Sequence, residues 1–403
     1  MNSITQIRNA SLIGLAGYLP AKNIDSKTAS SLSDYLYTHS ALPKAYISYI
    51  EQHQILPGSI ETNYDGWESK PWFQAWLDRL PEKKRTDPFQ GAEERRRVPY
   101  DPESLTRSIH PHPMKPSDAE VIAGALALVK AGVGADDIDL VIVSSQVPDR
   151  SLPSNASLVQ YKLGLKNAGA YSADTCCSSF VTLTQLAFSL VMSGMKNKVL
   201  IISSYIDSHV TDRSDYFSVN TGDAAFAAII SNEAESNDYI SSSSISDGSR
   251  HEGIIFTRRQ PGLHRDIDVG ADNKQTFTTF YNQEICKRIA AHAEDDLSRV
   301  VEKTLSKSRT TVDDIDLLVT HQPVSWAAHA WRKAVGVPED RFVETFKKYG
   351  NIANCSVPAN LLEAIERNQV KAGNNVMMAS SGAGENHIAV FFKVSEKLLN
   401  NCL

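Results

Sequence analysis

Cysteine is scarce in this chain: five residues among 403, odd in number and widely spaced. That excludes a disulfide framework of the secreted kind and makes a reducing cytoplasm the expected compartment. Long apolar runs are missing as well. LVIV and AAFAAII fall far short of the ~20 residues that cross a bilayer, and MNSITQIRNASLIGLAGYLP has no basic segment followed by an apolar core, so neither a membrane span nor a signal peptide is expected. Positive charge is not in excess either. Against 47 Asp and Glu stand 41 Lys and Arg, a net charge of -6, which argues against nucleic acid as a partner and for small molecules or proteins. The rest is ordinary globular composition, 42% hydrophobic and 22% charged, with length for two cores or one large two-part domain.

The chain echoes itself. DDIDLVIVSSQVP (136–148) returns as DDIDLLVTHQPV (313–324), each an acidic cap followed by a β-branched apolar run of buried-strand type. KNKVLIISS, ending at Ser204, returns as GNNVMMASS, ending at Ser381. Ile138 to Val199 spans 61 positions, and so does Ile315 to Val376. Before each first strand, AEVIAGALALVKAG (119–132) and AEDDLSRVVEKTL (293–305) carry apolar residues at helical spacing. Helix, strand, helix, strand in each half predicts an α/β fold with mostly parallel sheets. The boundary falls near 232–239, giving an N-terminal half of 1–235 and a C-terminal half of 236–403.

The offset between the echoes, 315 minus 138, is 177. Applied to Cys177 in SADTCCSSF, it reaches Asn354 in YGNIANCSVPANLLEAIE, so two polar turns that open apolar helices occupy matching places. A pseudo-twofold brings such helix starts together, on connections where α/β sheets bind ligands. At a helix start a thiol meets free backbone N–H groups and the positive dipole end, which stabilise its thiolate and offer an oxyanion a donor. Cys177 is the better placed of the vicinal pair, with Cys176 expected to end the approach strand, packed and inert. His321, after the strand DLLVT, can donate to a carbonyl or exchange a proton. Asn351, after Tyr349-Gly350, can supply a neutral amide donor. Taken singly, each has an ordinary structural reading as core cysteine, capping histidine or turn residue.

Together, C-S-x-F opening a helix, H-Q at His321, G-N at Asn351 and the loop SSGAGE at 380–385 resemble β-ketoacyl-acyl-carrier-protein synthase III, a condensing enzyme of the thiolase superfamily. GYLP (17–20), GAEER (91–95), TGDAAFA (221–227) and SVPANLLEAI (356–365) follow in the family's order. The resemblance implies a thiolase fold, duplicated halves in a five-layered αβαβα sandwich, and a homodimer. It implies an acylated nucleophile at Cys177, and His321 and Asn351 binding the second substrate's thioester carbonyl and its enolate. The backbone N–H groups of Cys177 and Ala383 would form the oxyanion hole. The substrates implied are acyl and malonyl-type thioesters on acyl carrier protein or coenzyme A. No cofactor and no metal is implied.

The sequence also departs from that family. Seventy residues separate Pro20 from Gly91, an insertion around 30–85 whose GWESKPWFQAW carries Trp67, Trp72 and Trp76, available to line an acyl entrance, cover the dimer or form a small core. Asp215 stands where a phosphate-binding arginine is usual, leaving Arg213 or Lys83, Lys84 and Arg85 as substitutes. Trp326 replaces a basic carrier-docking residue, with Arg332 and Lys333 nearby. Leu152 is expected to reach a substrate tunnel shaped by both subunits. SSGAGENH brings Glu385 and His387 toward the site as auxiliary ionisable groups. HPHP at 110–113, lacking further spaced ligands, is weak evidence for a metal. The expected reaction is a decarboxylative Claisen condensation in specialised lipid or polyketide metabolism. The alternatives are an acyltransferase forming an ester or amide, and a structural subunit of a heterodimeric synthase.

Overall fold

A computed structural model describes residues 7–62, 106–210, 220–233, 237–258, 277–324 and 326–402. The tryptophan-rich stretch, GAEER, Lys83 to Arg85, Arg213 and Asp215 lie outside the described residues. Strands are β1 (Ser11–Tyr18), β2 (Ser59–Thr62), β3 (Thr106–Ile109), β4 (Leu140–Ser145), β5 (Gly169–Ser172), β6 (Lys198–Tyr205) and β7 (Ala224–Ser231). After them come β8 (Tyr239–Ser246), β9 (Ile254–Arg258), β10 (Phe277–Tyr281), β11 (Leu317–Thr320), β12 (Asn375–Gly382) and β13 (Asn386–Lys393). The helices are α1 (Ser26–His39), α2 (Lys44–His53), α3 (Pro116–Ala131), α4 (Asn155–Leu163) and α5 (Ser179–Met192). Then follow α6 (Gln283–Ser308), α7 (Ala327–Val335), α8 (Phe346–Tyr349), α9 (Ser356–Glu366) and α10 (Glu396–Cys402).

Two sheets carry the fold. One has strand order β1-β7-β6-β4-β5 and the other β11-β12-β13-β8. Read from β1 and from β8, both run antiparallel, antiparallel, parallel. The registers repeat too: Leu140 faces Val199, and 177 positions later Leu317 faces Val376. Where β5 adds a fifth strand through Val141 and Ala170, the second sheet has, among the described residues, a single parallel bridge, Leu318 to Phe342. The duplication expected from the echo is therefore a duplication of hydrogen-bonding pattern. The sheets are mixed, because β7 and β13 each run against their neighbours.

Side-chain alternation along the strands builds the layers. Leu140 and Ile142 of β4, and Val376 and Met378 of β12, turn into one central core with Phe180, Leu183 and Phe188 of α5 and Val357 and Leu361 of α9. Val141 and Val143 turn the other way, onto α3 residues such as Val121 and Ile122. Met377 and Ala379 likewise turn outward onto Leu297 and Val300 of α6 and Trp331 of α7. The order is helix, sheet, the α5–α9 pair, sheet, helix. Burial on both faces is why these strands read as unbroken apolar runs. The described beginning of the insertion has no separate core: Leu32, Leu36, Ile47 and Ile50 of α1 and α2 join the outer core over the first sheet.

Candidate active site

The two matching turns become matching single turns of 3₁₀ helix, Cys176–Ser178 before α5 and Ala353–Cys355 before α9. Each begins on a non-glycine residue in the left-handed region, Cys176 at φ 56° and Ala353 at φ 44°, again 177 positions apart. Such residues are uncommon, and their recurrence at duplicated places marks them as built features. Gly382, at the end of β12, holds a third segment against the first turn. A Cβ added there would stand 2.2 Å from the Thr175 carbonyl oxygen and 2.8 Å from Ser178 Oγ, so only glycine allows the approach. Ser380 Oγ donates to the Cys177 carbonyl at 3.1 Å, and the Ala383 N–H reaches the sulfurs of both cysteines. Gly350, at φ 69°, makes the corresponding close pass for Asn351, where a Cβ would meet the Asn220 carbonyl at 2.4 Å.

These turns enclose a cavity of about 460 Å³, lined by Cys177, His321, Asn351 and Ala383. His321 leaves the end of β11 and is 2% exposed, with Nδ1 3.3 Å from Ser356 Oγ. Burial pushes its imidazole down to about 3, only partly offset by a backbone contact at Ala353, so near neutral pH it is an uncharged acid–base group. Asn351 accepts the Ala353 N–H through Oδ1 at 2.9 Å. With that oxygen engaged, its Nδ2 is the end with hydrogens to donate.

Cys176 departs from expectation. It begins the 3₁₀ turn, is half-buried rather than packed, and lines the cavity, with Sγ 3.9 Å from that of Cys177. Its left-handed backbone turns both sulfurs to the same side, a conformation that residue identity at a cysteine does not announce. The expected depression of the Cys177 thiol is also corrected. The hydrogen bond with Cys176 and then burial hold it well above the ordinary range, and the Ala383 N–H offsets this only in part. A Cys177 thiol and an uncharged His321 imidazole thus share one cavity.

Glu385 and His387 do line this cavity. They belong to a buried group that includes Asp296 and Arg250, whose Nη2 lies 2.6 Å from Asp296 and 3.5 Å from Glu385. Asp296, Glu385 and His387 lie within ligand distance of one another, with the Arg250 guanidinium held chiefly by Asp296. Arg332 is not a docking group: it is buried, its Nη1 donating to the Val337 carbonyl at 2.8 Å to close the end of α7. Trp326 precedes α7 and packs into the outer core of the second sheet, and Lys333 is exposed; neither lines the cavity. Leu152 is 85% exposed and lies outside the cavity of its own chain. His110 meets Tyr18 through Nδ1 at 2.9 Å, a core contact. Sequence reasoning missed Asp174, Tyr205 and Trp331 in the lining. Asp174 anchors the Cys176–Ser178 turn, accepting from the Cys176 N–H at 3.1 Å and Ser179 Oγ at 2.9 Å.

The thiolase fold, with a thiol, an imidazole and an amide from separate connections lining one cavity, and the chain's relatives make this a condensing enzyme of the acyltransferase class. Family profiles agree: 3-oxoacyl-[acyl-carrier-protein] synthase III matches residues 172–248, and its C-terminal profile residues 305–394. β-Ketoacyl-[acyl-carrier-protein] synthase III from Clostridium perfringens is 31% identical over 269 residues, 66% of this chain and 81% of the relative. The enzyme of that name from Wolbachia pipientis is 33% identical over 273 residues, 66% of this chain and 80% of the relative. The 3-oxoacyl-(acyl carrier protein) synthase III structure from Pseudomonas aeruginosa superposes with a TM-score of 0.67 at 19% identity, covering 96% of this chain and 99% of that one. The chain belongs to the β-ketoacyl-[acyl-carrier-protein] synthase III family.

Proposed function

We propose that this enzyme carries out a decarboxylative Claisen condensation between an acyl group held on Cys177 and a malonyl-type thioester. The Cys177 sulfur attacks the acyl thioester carbonyl, its proton passing to His321 and on to the departing carrier thiolate. The N–H groups of Cys177 and Ala383 hold the oxyanion. The malonyl thioester then loses carbon dioxide. The electrons of the broken C–C bond enter an enolate whose oxygen accepts from His321 and from Asn351 Nδ2. The enolate carbon attacks the acyl carbonyl, a C–C bond forms, and the Cys177 thiolate leaves and is reprotonated.

The observation that carries this reading is the convergence of Cys177, His321 and Asn351, from three separate connections, on one cavity. Asn351 favours condensation over plain acyl transfer to a hydroxyl or amine, because an enolate needs a second donor. Retention of both Cys177 and His321 speaks against a structural subunit. The partners in this reading are acyl and malonyl thioesters of acyl carrier protein or coenzyme A and a second copy of the chain, for which β5 offers an edge strand with Tyr171 exposed. A cytoplasmic site is supported by the free cysteines, and among the described residues no helix is long and apolar enough to cross a membrane. Division into units 1–235 and 236–403 is supported by the repeated register. Acyl and carboxyl-labelled malonyl thioesters test the reading: labelled carbon dioxide is expected, and acyl transfer without its release overturns it.

A further inference from the structure

The cavity is mostly apolar, with Ile254, Ile255, Phe256 and Ile289 in its lining, yet one wall carries Glu385 and His387. Of the three carboxylates around Arg250, Asp296 at 2.6 Å and Asp247 at 2.9 Å hold the guanidinium, and Asp296 also takes Arg299 at 3.0 Å. Glu385 is left third, at 3.5 Å, so its charge is the least answered and its oxygens keep capacity to accept. Gly384 at φ 82° and Glu385 itself at φ 59° make the tight turn that puts it in the lining. His387 Nδ1 lies 2.8 Å from Ser381 Oγ, while its buried Nε2 has no hydrogen-bond partner among the described residues. Burial keeps the His387 imidazole neutral, and the two carboxylate oxygens of Asp296 and Glu385, 3.8 Å from Nε2, select the tautomer that carries its hydrogen there. That separation is too long for a hydrogen bond. An oxygen placed about 2.8 Å from both His387 Nε2 and Glu385 would bridge the gap, accepting from the imidazole N–H and donating to the carboxylate.

Among the groups an acyl chain can carry into such a gap, a hydroxyl both accepts and donates at one atom; an alkyl carbon does neither, and an ammonium cannot accept. We propose that the Glu385–His387 wall is a hydroxyl-binding subsite, and that the acyl thioester taken by this enzyme carries a hydroxyl on its chain. This rests on the thioester reading above and specifies its substrate class.

The test is equilibrium binding, which needs no turnover. Octanoyl-CoA, its monohydroxylated isomers and its terminal amino analogue are titrated calorimetrically against the full chain carrying Cys177→Ala. At least one hydroxylated isomer is expected to bind about ten-fold tighter than octanoyl-CoA, the scale of one or two buried hydrogen bonds. The advantage should collapse toward unity in a second set carrying Glu385→Leu, with octanoyl-CoA binding retained as the check on folding. Should that variant not fold, Glu385→Gln, which keeps shape and removes the charge, should at least halve the advantage. Equal binding of octanoyl-CoA and every isomer, an advantage unchanged by substitution at Glu385, or tightest binding of the amine would each overturn the proposal. Failure of the condensation reading shows separately, as absence of labelled carbon dioxide from the unsubstituted enzyme, and leaves these ratios standing.

Discussion

Gly382→Ala isolates the approach of the Ala383 turn to the Cys177 turn, since it adds one methyl group and changes no ionisable residue. The new Cβ would lie 2.2 Å from Thr175 O and 3.0 Å from Ser178 N, both backbone atoms that cannot swing aside. Opening the shorter contact to an ordinary separation moves the two turns apart by about 1 Å, a displacement that can cost about a hundred-fold in rate when it misplaces catalytic groups. Loss of a single oxyanion donor has the same scale, about 10²–10³. The fold should absorb the change at about 1–3 kcal/mol of overpacking. At ~2.1 cal/mol/K per residue, 403 residues give an unfolding entropy near 0.85 kcal/mol/K, so Tm should fall by only about 1–4 °C. Acylation of Cys177, followed by intact mass in single turnover, should therefore slow by about two orders of magnitude in a protein that is still folded. A variant that acylates at the unsubstituted rate would refute the placement of Ala383 in the oxyanion hole.

Intact mass after exposure to an acyl thioester should show an adduct lost in Cys177→Ala and kept in Cys176→Ala; an adduct that needs Cys176 instead would reverse the assignment. Asn351→Ala should leave acylation near normal while slowing carbon dioxide release by about 10²-fold, and equal losses in both steps would count against an enolate role. His321 is depressed from 6.5 to about 3, so between those values the unfolded chain takes a proton that the folded chain refuses. Stability is full above about pH 6.5 and falls as pH drops, by about 2 kcal/mol at pH 5; His321→Gln should lose that much less between pH 7 and 5 in denaturant titrations. His110, lowered to about 4 by burial, contributes a further fall of the same sign that the variant keeps. Arg332→Ala should lower stability by about 1–3 kcal/mol without changing affinity for carrier thioesters, and a docking defect in a stable variant would restore the role expected from sequence.

The sheets were legible because strands buried on both faces must be apolar throughout, which is why Leu140 to Val143 and Leu317 to Thr320 stand out, and duplication printed the pattern twice. Cys177, His321 and Asn351 were legible because each sits on a connection at a fixed place relative to those strands. Cys176 was not, since a left-handed φ at a non-glycine residue leaves no mark in the sequence: Asp174, two residues before it, accepts its N–H, but Gly382, which packs on this turn, comes from a distant strand. The Glu385 group was only half visible. Its loop announced two ionisable residues, but Arg250 and Asp296 reach it from other elements through contacts that no local spacing encodes. Arg332 misled because a basic residue in a family's docking region looks alike whether its guanidinium faces solvent or folds back onto the carbonyl just past its own helix.

The left-handed pair at Cys176 and Ala353 bears on how the chain can change. Each residue shapes the entrance to a helix in its own half, yet the chemistry reads both entrances at once, one presenting sulfur and the other adjoining the amide and imidazole. A substitution that relaxes Ala353 would be registered as a defect in acyl transfer at a sulfur 176 positions earlier in the sequence. Compensating changes should accordingly arise in the other copy of the motif, which ties the two repeats to one another through a site neither builds alone.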